Sequence, residues 1–354
     1  MKVLYAIYNI SGYLLAELKE LSKLAEVTVI ETPCNIDKGS LENCVTWIDR
    51  RSITGDNIQK LLEIGFDLFV CPGWADALML KLASELKRKG VRTVLSVDTP
   101  WKGSIKQLIH CVVSRFYLVP YFDFAWGAGE PQVKYLKMLG FANDRVYQGT
   151  YCADTEKFSK IGEDRLKKSS SNDGGKSVRV FLYIGRYVEV KNMRRMERAF
   201  IKALEYITKE RGNKQVLQFK LRCIGNGKLW EERTIHPAIE HLGYKQPSEI
   251  QEYVKDADCF VLPSLYEPWG VVVHEAALMA LPMICSNKIQ AATRFLKSNG
   301  YQFDPLNEDD IALAFLKIMK LSEKELRDMG AISYQLGMGY TTRDWAARVR
   351  GMIA

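Results

Sequence analysis

A chain of 354 residues, 47% hydrophobic and 26% charged, exceeds one ordinary hydrophobic core and suits two domains of average size. It contains no apolar run of about 18 residues, which excludes a membrane-spanning helix. The formal charge of +8 is spread along the chain without a basic tract or a nucleic-acid motif, so nucleic acid is not an expected partner.

The opening MKVLYAIYNISGYLL reads as a strand running into a loop rather than a signal peptide. Its apolar run is broken by Asn9, Ser11 and Gly12, and no small-residue cleavage site follows. GYLLAELKELSKLA then has helical spacing, and EVTVIET is a second strand. DLFVCP, TVLSVD and FAWGAG repeat the strand-then-loop pattern, with the helical ADALMLKLASELKRKG between the first two. Strands separated by helical stretches imply βαβ units and a parallel sheet. The polar, glycine-bearing KKSSSNDGGKS at 167–177 is a linker or exposed loop. Beyond it the alternation restarts. RVFLYIGR is a strand, a helix follows from Asn192 to about Lys209, QFKLRCIG is a strand, and another helix is expected after Gly227. DCFVLPS, a helix from about Val272 to Ala280, and PMICS complete the series.

The expected fold is therefore α/β, with two Rossmann-like doubly wound domains facing each other across a cleft. The first domain covers 1–168, a linker 169–177, the second domain 178–335, and a C-terminal helix in 336–354 packs back on the first domain. The eight cysteines form no CxxC pair, and several sit in apolar strands; reduced buried thiols and a cytoplasmic location are the expectation.

In doubly wound sheets ligands bind beyond the carboxyl ends of the strands. Residues 258–287 hold the richest such loop, with Glu267 ahead of a helix and Glu275 on it. A helix start offers free N–H groups and a positive dipole end, suited to phosphate, and Gly270 lets a ligand approach the backbone. Ionised carboxylates can accept several hydrogen bonds from sugar hydroxyls. The alternative makes Glu267 a solvated loop residue and Glu275 a helix-dipole partner. In a second loop Gly185 turns after a strand, and Arg186 and Lys191 precede a helix opened by Asn192, a plausible diphosphate clamp. Arg194, Arg195 and Arg198 read as that helix's solvated face. The third stretch, LRCIGNGKLWEE, ends a strand in a glycine turn.

Together, these three stretches resemble the family 4 glycosyltransferases of the GT-B fold. The matching residues are Gly185-Arg186 with Lys191-Asn192, Gly225-Asn226-Gly227, Glu267-Pro268-Trp269-Gly270 with Glu275-Ala276, and Leu281-Pro282-Met283-Ile284. The likeness covers 178–310 and fades before that. The E-x7-E block in its strand–loop–helix setting is its specific part.

The resemblance implies a retaining, metal-independent hexosyltransferase that uses a nucleoside-diphosphate sugar and needs no cofactor or metal. Its acceptor would be a saccharide or lipid-linked saccharide, in polysaccharide or glycolipid assembly. It also implies that Arg186 and Lys191 hold the leaving diphosphate, that Glu267 stands at the donor sugar, and that Glu275 binds the ribose. The amides of Trp269, Gly270 and Val271 would meet sugar hydroxyls or phosphate. Gly225, the segment from His241 to Tyr244, and Gly12 after the first strand would complete the donor site. Two departures are Trp269 for the usual phenylalanine and Leu281 for the usual glycine. Many members place a histidine where LSVDTPW has Asp98, which leaves Asp98 a candidate on the acceptor or sugar side. His274 reads as structural.

No acidic pair sits in a strand-end loop suited to Mg²⁺; Asp256–Asp258 leads into a strand and Asp309–Asp310 starts a late helix. Residues 101–118 carry Lys102, Lys106 and Arg115 among apolar residues and no acid. Such a segment suits peripheral contact with an anionic membrane at its inner face, or a helix packed on the sheet with three exposed cations. A nucleotide-sugar epimerase or hydrolase of the same fold and a non-catalytic sugar-nucleotide binding protein stay open as alternatives. A glycosidase needs no phosphate clamp, and a dehydrogenase would show GxGxxG after the first strand.

Overall fold

The computed structural model describes residues 1–33, 36–54, 58–169, 177–212 and 217–353. Most of the expected linker, residues 170–176, lies outside them. The chain forms two compact units, Met1–Asp154 with Tyr340–Ala354, and Thr155–Gly339. They part between Asp154 and Thr155, whereas the sequence reading ended the first domain at 168.

The first unit is built on seven parallel strands: β1 (Lys2–Ala6), β2 (Glu26–Glu31), β3 (Val45–Asp49), β4 (Leu68–Pro72), β5 (Arg92–Val97), β6 (Phe124–Gly127) and β7 (Val146–Gln148). Between them run α1 (Gly12–Ser22), α2 (Ile58–Glu63), α3 (Ala77–Arg88), α4 (Ile105–Tyr117) and α5 (Glu130–Leu139). The sheet order is β3-β2-β1-β4-β5-β6-β7, so strand order reverses between β1 and β4. Both faces are covered, which is why the central strands are apolar throughout rather than alternating. Leu4 and Ala6 face the α2–α5 side, whereas Val3 and Tyr5 face α1.

The second unit begins with α6 (Thr155–Ser169), followed by β8 (Val178–Ile184), α7 (Met193–Arg211), β9 (Gln218–Ile224) and β10 (Ile239–His241). Then come α8 (Pro247–Lys255), β11 (Cys259–Leu262), α9 (Val271–Leu278), β12 (Met283–Ser286), α10 (Ala292–Phe295), β13 (Gly300–Phe303), α11 (Glu308–Lys320) and α12 (Glu323–Met338). Its six strands are parallel in the order β10-β9-β8-β11-β12-β13, reversing between β8 and β11. Helix α7 buries Met193, Met196, Phe200, Ala203 and Ile207, the three-and-four spacing of one apolar stripe. Phe200 meets Phe181 of β8 and Phe315 of α11 with centroids 5.9 and 5.3 Å apart. Arg179, almost fully buried, donates to Ile318 O at 2.8 Å and Leu321 O at 2.9 Å, satisfying carbonyls at the end of α11.

The helix expected after Gly227 does not form. Only a 3₁₀ turn, Trp230–Glu232, occurs there. The β-branched Thr234 and Ile235 and the backbone restriction imposed by Pro237 leave too short a stretch for an α-helix. Instead Thr234 N donates to Glu197 Oε2 at 3.0 Å, which fixes the segment against α7.

The chain returns to the first unit with α13 (Thr342–Gly351), which packs on α1. Trp345, fully buried, lies 5.4 Å from the Trp126 ring, and its indole N–H donates to Thr150 O at 2.9 Å.

Candidate functional site

In the second unit the order reversal places the loops after β8 and β11 side by side, the position where open parallel sheets bind ligands. The β8 loop starts at Gly185, whose N–H donates to Ile224 O at 3.0 Å. The glycine turn after β9 lies directly against it. A Cβ on Gly225, at φ +139°, would stand 1.8 Å from Gly185 O, and one on Gly227 would stand 2.5 Å from Tyr187 O. These glycines are therefore required by the approach of two chain segments, before any ligand is considered. Tyr187 N donates to Asn226 O and Leu229 N to Tyr187 O, both at 3.0 Å, locking the loops together.

Arg186 is exposed at the loop tip, and its carbonyl accepts from the buried Tyr183 hydroxyl at 3.1 Å. Burial pushes that phenol well above its ordinary pKa. Asn192 sits in the left-handed region at φ +57°, with its amide donating to Pro263 O at 3.1 Å and Pro305 O at 2.8 Å. Its role is to tie the β8 loop to the end of β11, and Arg195 braces it by donating to its Oδ1 at 2.8 Å. Arg194 and Arg198 form ion pairs with Glu232 and Glu308.

The β11 loop carries Glu267, and Leu265 N within it donates to Val190 O at 2.8 Å. The result is a direct ion pair between Lys191 Nζ and Glu267 Oε1, with both side chains only 14% exposed. Ser264 donates its hydroxyl to the same oxygen at 3.0 Å. Two residues that the sequence assigned to different parts of a ligand are thus partners in the free protein.

Gly270 follows at φ +96° and caps α9, and a Cβ there would meet Ile289 Cγ2 at 3.1 Å. Trp269 turns its side chain into the core against Phe295, with centroids 6.4 Å apart and its indole N–H buried without a partner among the described residues. Only its backbone is available to a ligand. Val271 opens α9, and Glu275, half-buried, lies one turn further on. His274 is fully buried, stacked at 4.1 Å on Phe295, with Nε2 2.9 Å from Gly337 O, a packing role.

Tyr244 is exposed beyond β10. His241 lies inside the unit, with Nδ1 2.9 Å from the Tyr187 hydroxyl and Nε2 2.9 Å from Thr234 O. Gly12 and Asp98 belong to the first unit. A Cβ on Gly12, the first residue of α1, would meet nothing within 4 Å, so its own unit does not demand a glycine.

Asp98 follows β5 and is exposed, with its carbonyl accepting from Gln132 Nε2 at 2.9 Å. It stands on the wall of a cavity of about 1060 Å³ at the first unit's own order reversal, formed by the loops after β1, β4 and β5 and one side of α4. Trp74 packs on His110 with centroids 5.0 Å apart, and His110 contacts the Tyr135 hydroxyl at 3.1 Å and the Tyr117 hydroxyl. Partial burial and the nearby Lys106 hold the imidazole pKa below its usual value, favouring the neutral ring. Burial pushes the Tyr8 phenol up to about 12. Sequence reading missed this aromatic cavity because its residues come from five separate segments, and it missed Ser264 because a lone serine carries no spacing signal.

The family described as Glycosyl transferases group 1 matches residues 164–335. A curated relative, "Putative glycosyltransferase EpsF" of Bacillus subtilis (strain 168), is 28% identical over 222 residues, 59% of this chain; the chain spans 54% of that relative's length. Among solved structures, "Trehalose-6-phosphate from E. coli bound with UDP-2-fluoro glucose" superposes with a TM-score of 0.73 at 11% identity, over 100% of this chain and 99% of the other. HepE of Anabaena, in complex with UDP and glucose, superposes with a TM-score of 0.69 at 14% identity, covering 99% and 98% of the two chains. Residues 164–335 therefore match the Glycosyl transferases group 1 family, and the chain has the fold of these solved glycosyltransferase structures.

Proposed function

We propose that the chain is a retaining, metal-independent glycosyltransferase that moves a hexosyl group from a nucleoside-diphosphate sugar to an acceptor hydroxyl in polysaccharide or glycolipid assembly, acting in the cytoplasm. The observation that carries this reading is the meeting of Lys191 and Glu267 at the β8/β11 reversal, with Arg186 on the same loop and the N-terminus of α9 following the other. Solved structures of the same fold contain UDP and glucose or a UDP-sugar analogue, which makes UDP the first nucleotide to try.

In this reading the anomeric C–O bond to the diphosphate breaks and the acceptor oxygen bonds to the anomeric carbon on the same face. The acceptor proton passes to a diphosphate oxygen, so no separate general base is required. Negative charge grows on the leaving group. Arg186, Lys191 and the amides of Gly270 and Val271 stabilise it in this scheme, an electrostatic contribution of several kcal/mol in comparable sites. Glu267 holds the sugar, and Glu275 the ribose hydroxyls. Gly225 and Tyr244 complete the donor contacts of the second unit, and Gly12 is a donor-binding residue of the first. Asp98 serves the acceptor or sugar side, in the aromatic cavity of the first unit.

The test is turnover with UDP-, GDP- and ADP-sugars in excess EDTA. Arg186→Ala and Lys191→Ala should each lower kcat/KM about tenfold or more, roughly 1.4 kcal/mol of transition-state stabilisation. Wild-type turnover by both variants, or activity that returns only with Mg²⁺ or Mn²⁺, would overturn the assignment.

A further inference from the structure

Helix α4 presents an unusual surface. Ile105, Leu108, Ile109, Val112, Val113 and Phe116 are 77%, 50%, 60%, 65%, 47% and 81% exposed. At 100° per residue these six fall within an arc of about 140°, with no polar side chain inside it. Ser114, on the opposite side, is fully buried and donates to Leu139 O at 2.9 Å, which seats the helix on the unit's core. The stripe is therefore not a core face turned the wrong way; the helix is packed by its other side.

The cations lie at the edges of the stripe. Lys106 and Arg115 flank the arc on opposite sides, Lys102 precedes the helix, and all three are exposed. No acidic residue occurs between Asp98 and Asp123, and the imidazole on the helix, His110, is held toward its neutral form. A continuous apolar strip bordered by positive charge, without hydrogen-bonding groups for a specific protein partner, matches an anionic lipid bilayer. At 13 residues, about 20 Å, the helix is too short to span a bilayer and would lie in its surface.

We propose that α4 docks the protein onto anionic membrane surfaces, its apolar stripe entering the acyl boundary and Lys102, Lys106 and Arg115 meeting lipid phosphates. The same helix lines the first unit's cavity through Lys106, Ile109, His110 and Val113. A molecule held there is therefore at the lipid surface, as a lipid-borne acceptor would be. The docking itself does not depend on the sugar-transfer reading and is measured without a nucleotide.

The experiment is co-sedimentation of the full chain with vesicles of phosphatidylcholine, with and without a third of phosphatidylglycerol, at low and high salt. The wild type should pellet with the anionic vesicles and be released by salt. Ile105→Asp/Phe116→Asp should weaken partitioning about tenfold or more, and Lys106→Glu/Arg115→Glu should abolish the preference for phosphatidylglycerol. Circular dichroism melts of both variants control for folding, and positions this exposed should not lower them. Absence of vesicle binding by the wild type, or equal binding by both well-folded variants, would overturn the proposal. So would a self-association in sedimentation equilibrium that the Asp variant abolishes while vesicle binding is nil, since the stripe would then serve a second copy.

Discussion

Glu267→Gln should tighten, not weaken, the binding of free UDP. In the free protein Lys191 is engaged by Glu267, so a diphosphate that recruits the lysine must break or share that pair. Exposed ion pairs contribute about 0–1 kcal/mol, and breaking buried ones costs about 3–5. At 14% exposure on both sides, with Ser264 supplying one further hydrogen bond to the carboxylate, a value of about 1–2 kcal/mol is reasonable. Glutamine keeps the shape and the oxygen that Ser264 addresses but removes the charge competing for the lysine. At 1.4 kcal/mol per tenfold, the affinity for UDP should rise roughly five- to thirtyfold. Turnover should fall even so, because a contact that strengthens as the sugar's charge develops would be lost. Isothermal titration calorimetry with UDP, beside turnover assays on Glu267→Gln and Lys191→Ala, reads both quantities. Weaker UDP binding by Glu267→Gln would refute the competition and place the carboxylate on the nucleotide.

Three other substitutions separate packing from ligand contact. Glu275→Gln should raise the Kd for UDP with a smaller change in kcat, the signature of a contact made equally before and during reaction; a loss confined to kcat would contradict the ribose role. Gly225→Ala places a Cβ 1.8 Å from Gly185 O at φ +139° and should cost upwards of about 2 kcal/mol, read as a drop of several degrees in the second unit's melting transition. Glu17 is fully buried, accepts from Cys152 N at 2.5 Å through one oxygen, and its other oxygen has no partner among the described residues; burial raises its pKa well above the ordinary value. The native state thus keeps this proton to higher pH than the unfolded chain does. Wild-type stability should fall as pH rises from the ordinary carboxylate range through the raised folded value, while Glu17→Gln should lose that slope. Tm against pH for both proteins checks it, and parallel curves would refute it.

How much of this was legible in the sequence depended on solvent exposure. The central strands β1, β2, β4, β5, β6, β8, β9, β11 and β12 stand out as apolar runs, because helices cover both faces of each sheet. The unread strands β3, β7, β10 and β13 are the four sheet edges. Edge strands are short and half solvated, so VTWID, VYQ, IEH and GYQF carry too few apolar residues to be seen. The strand-end loops and the α9 start were visible because glycine, charge and a new helical period change together there. The Lys191–Glu267 pair was not. It is created by β8 lying beside β11, a crossover that no local pattern encodes. The exposed stripe of α4 was half visible: spacing showed an amphipathic helix, but not that its apolar side is the one left outside.

The return of α13 to the first unit sets an order for synthesis. Thr155–Gly339 is one uninterrupted stretch, so its core can close as soon as it leaves the ribosome. The first unit, although its sheet is made earlier, lacks Trp345, Ala346, Val349 and Met352 from the core around Val3, Tyr5 and Leu18 until α13 has been made. A nascent chain therefore carries an unfinished first unit, with the α1 side of its sheet incompletely covered, while the second unit is being made. Damage to α13 would surface as misfolding of a sheet made long before it.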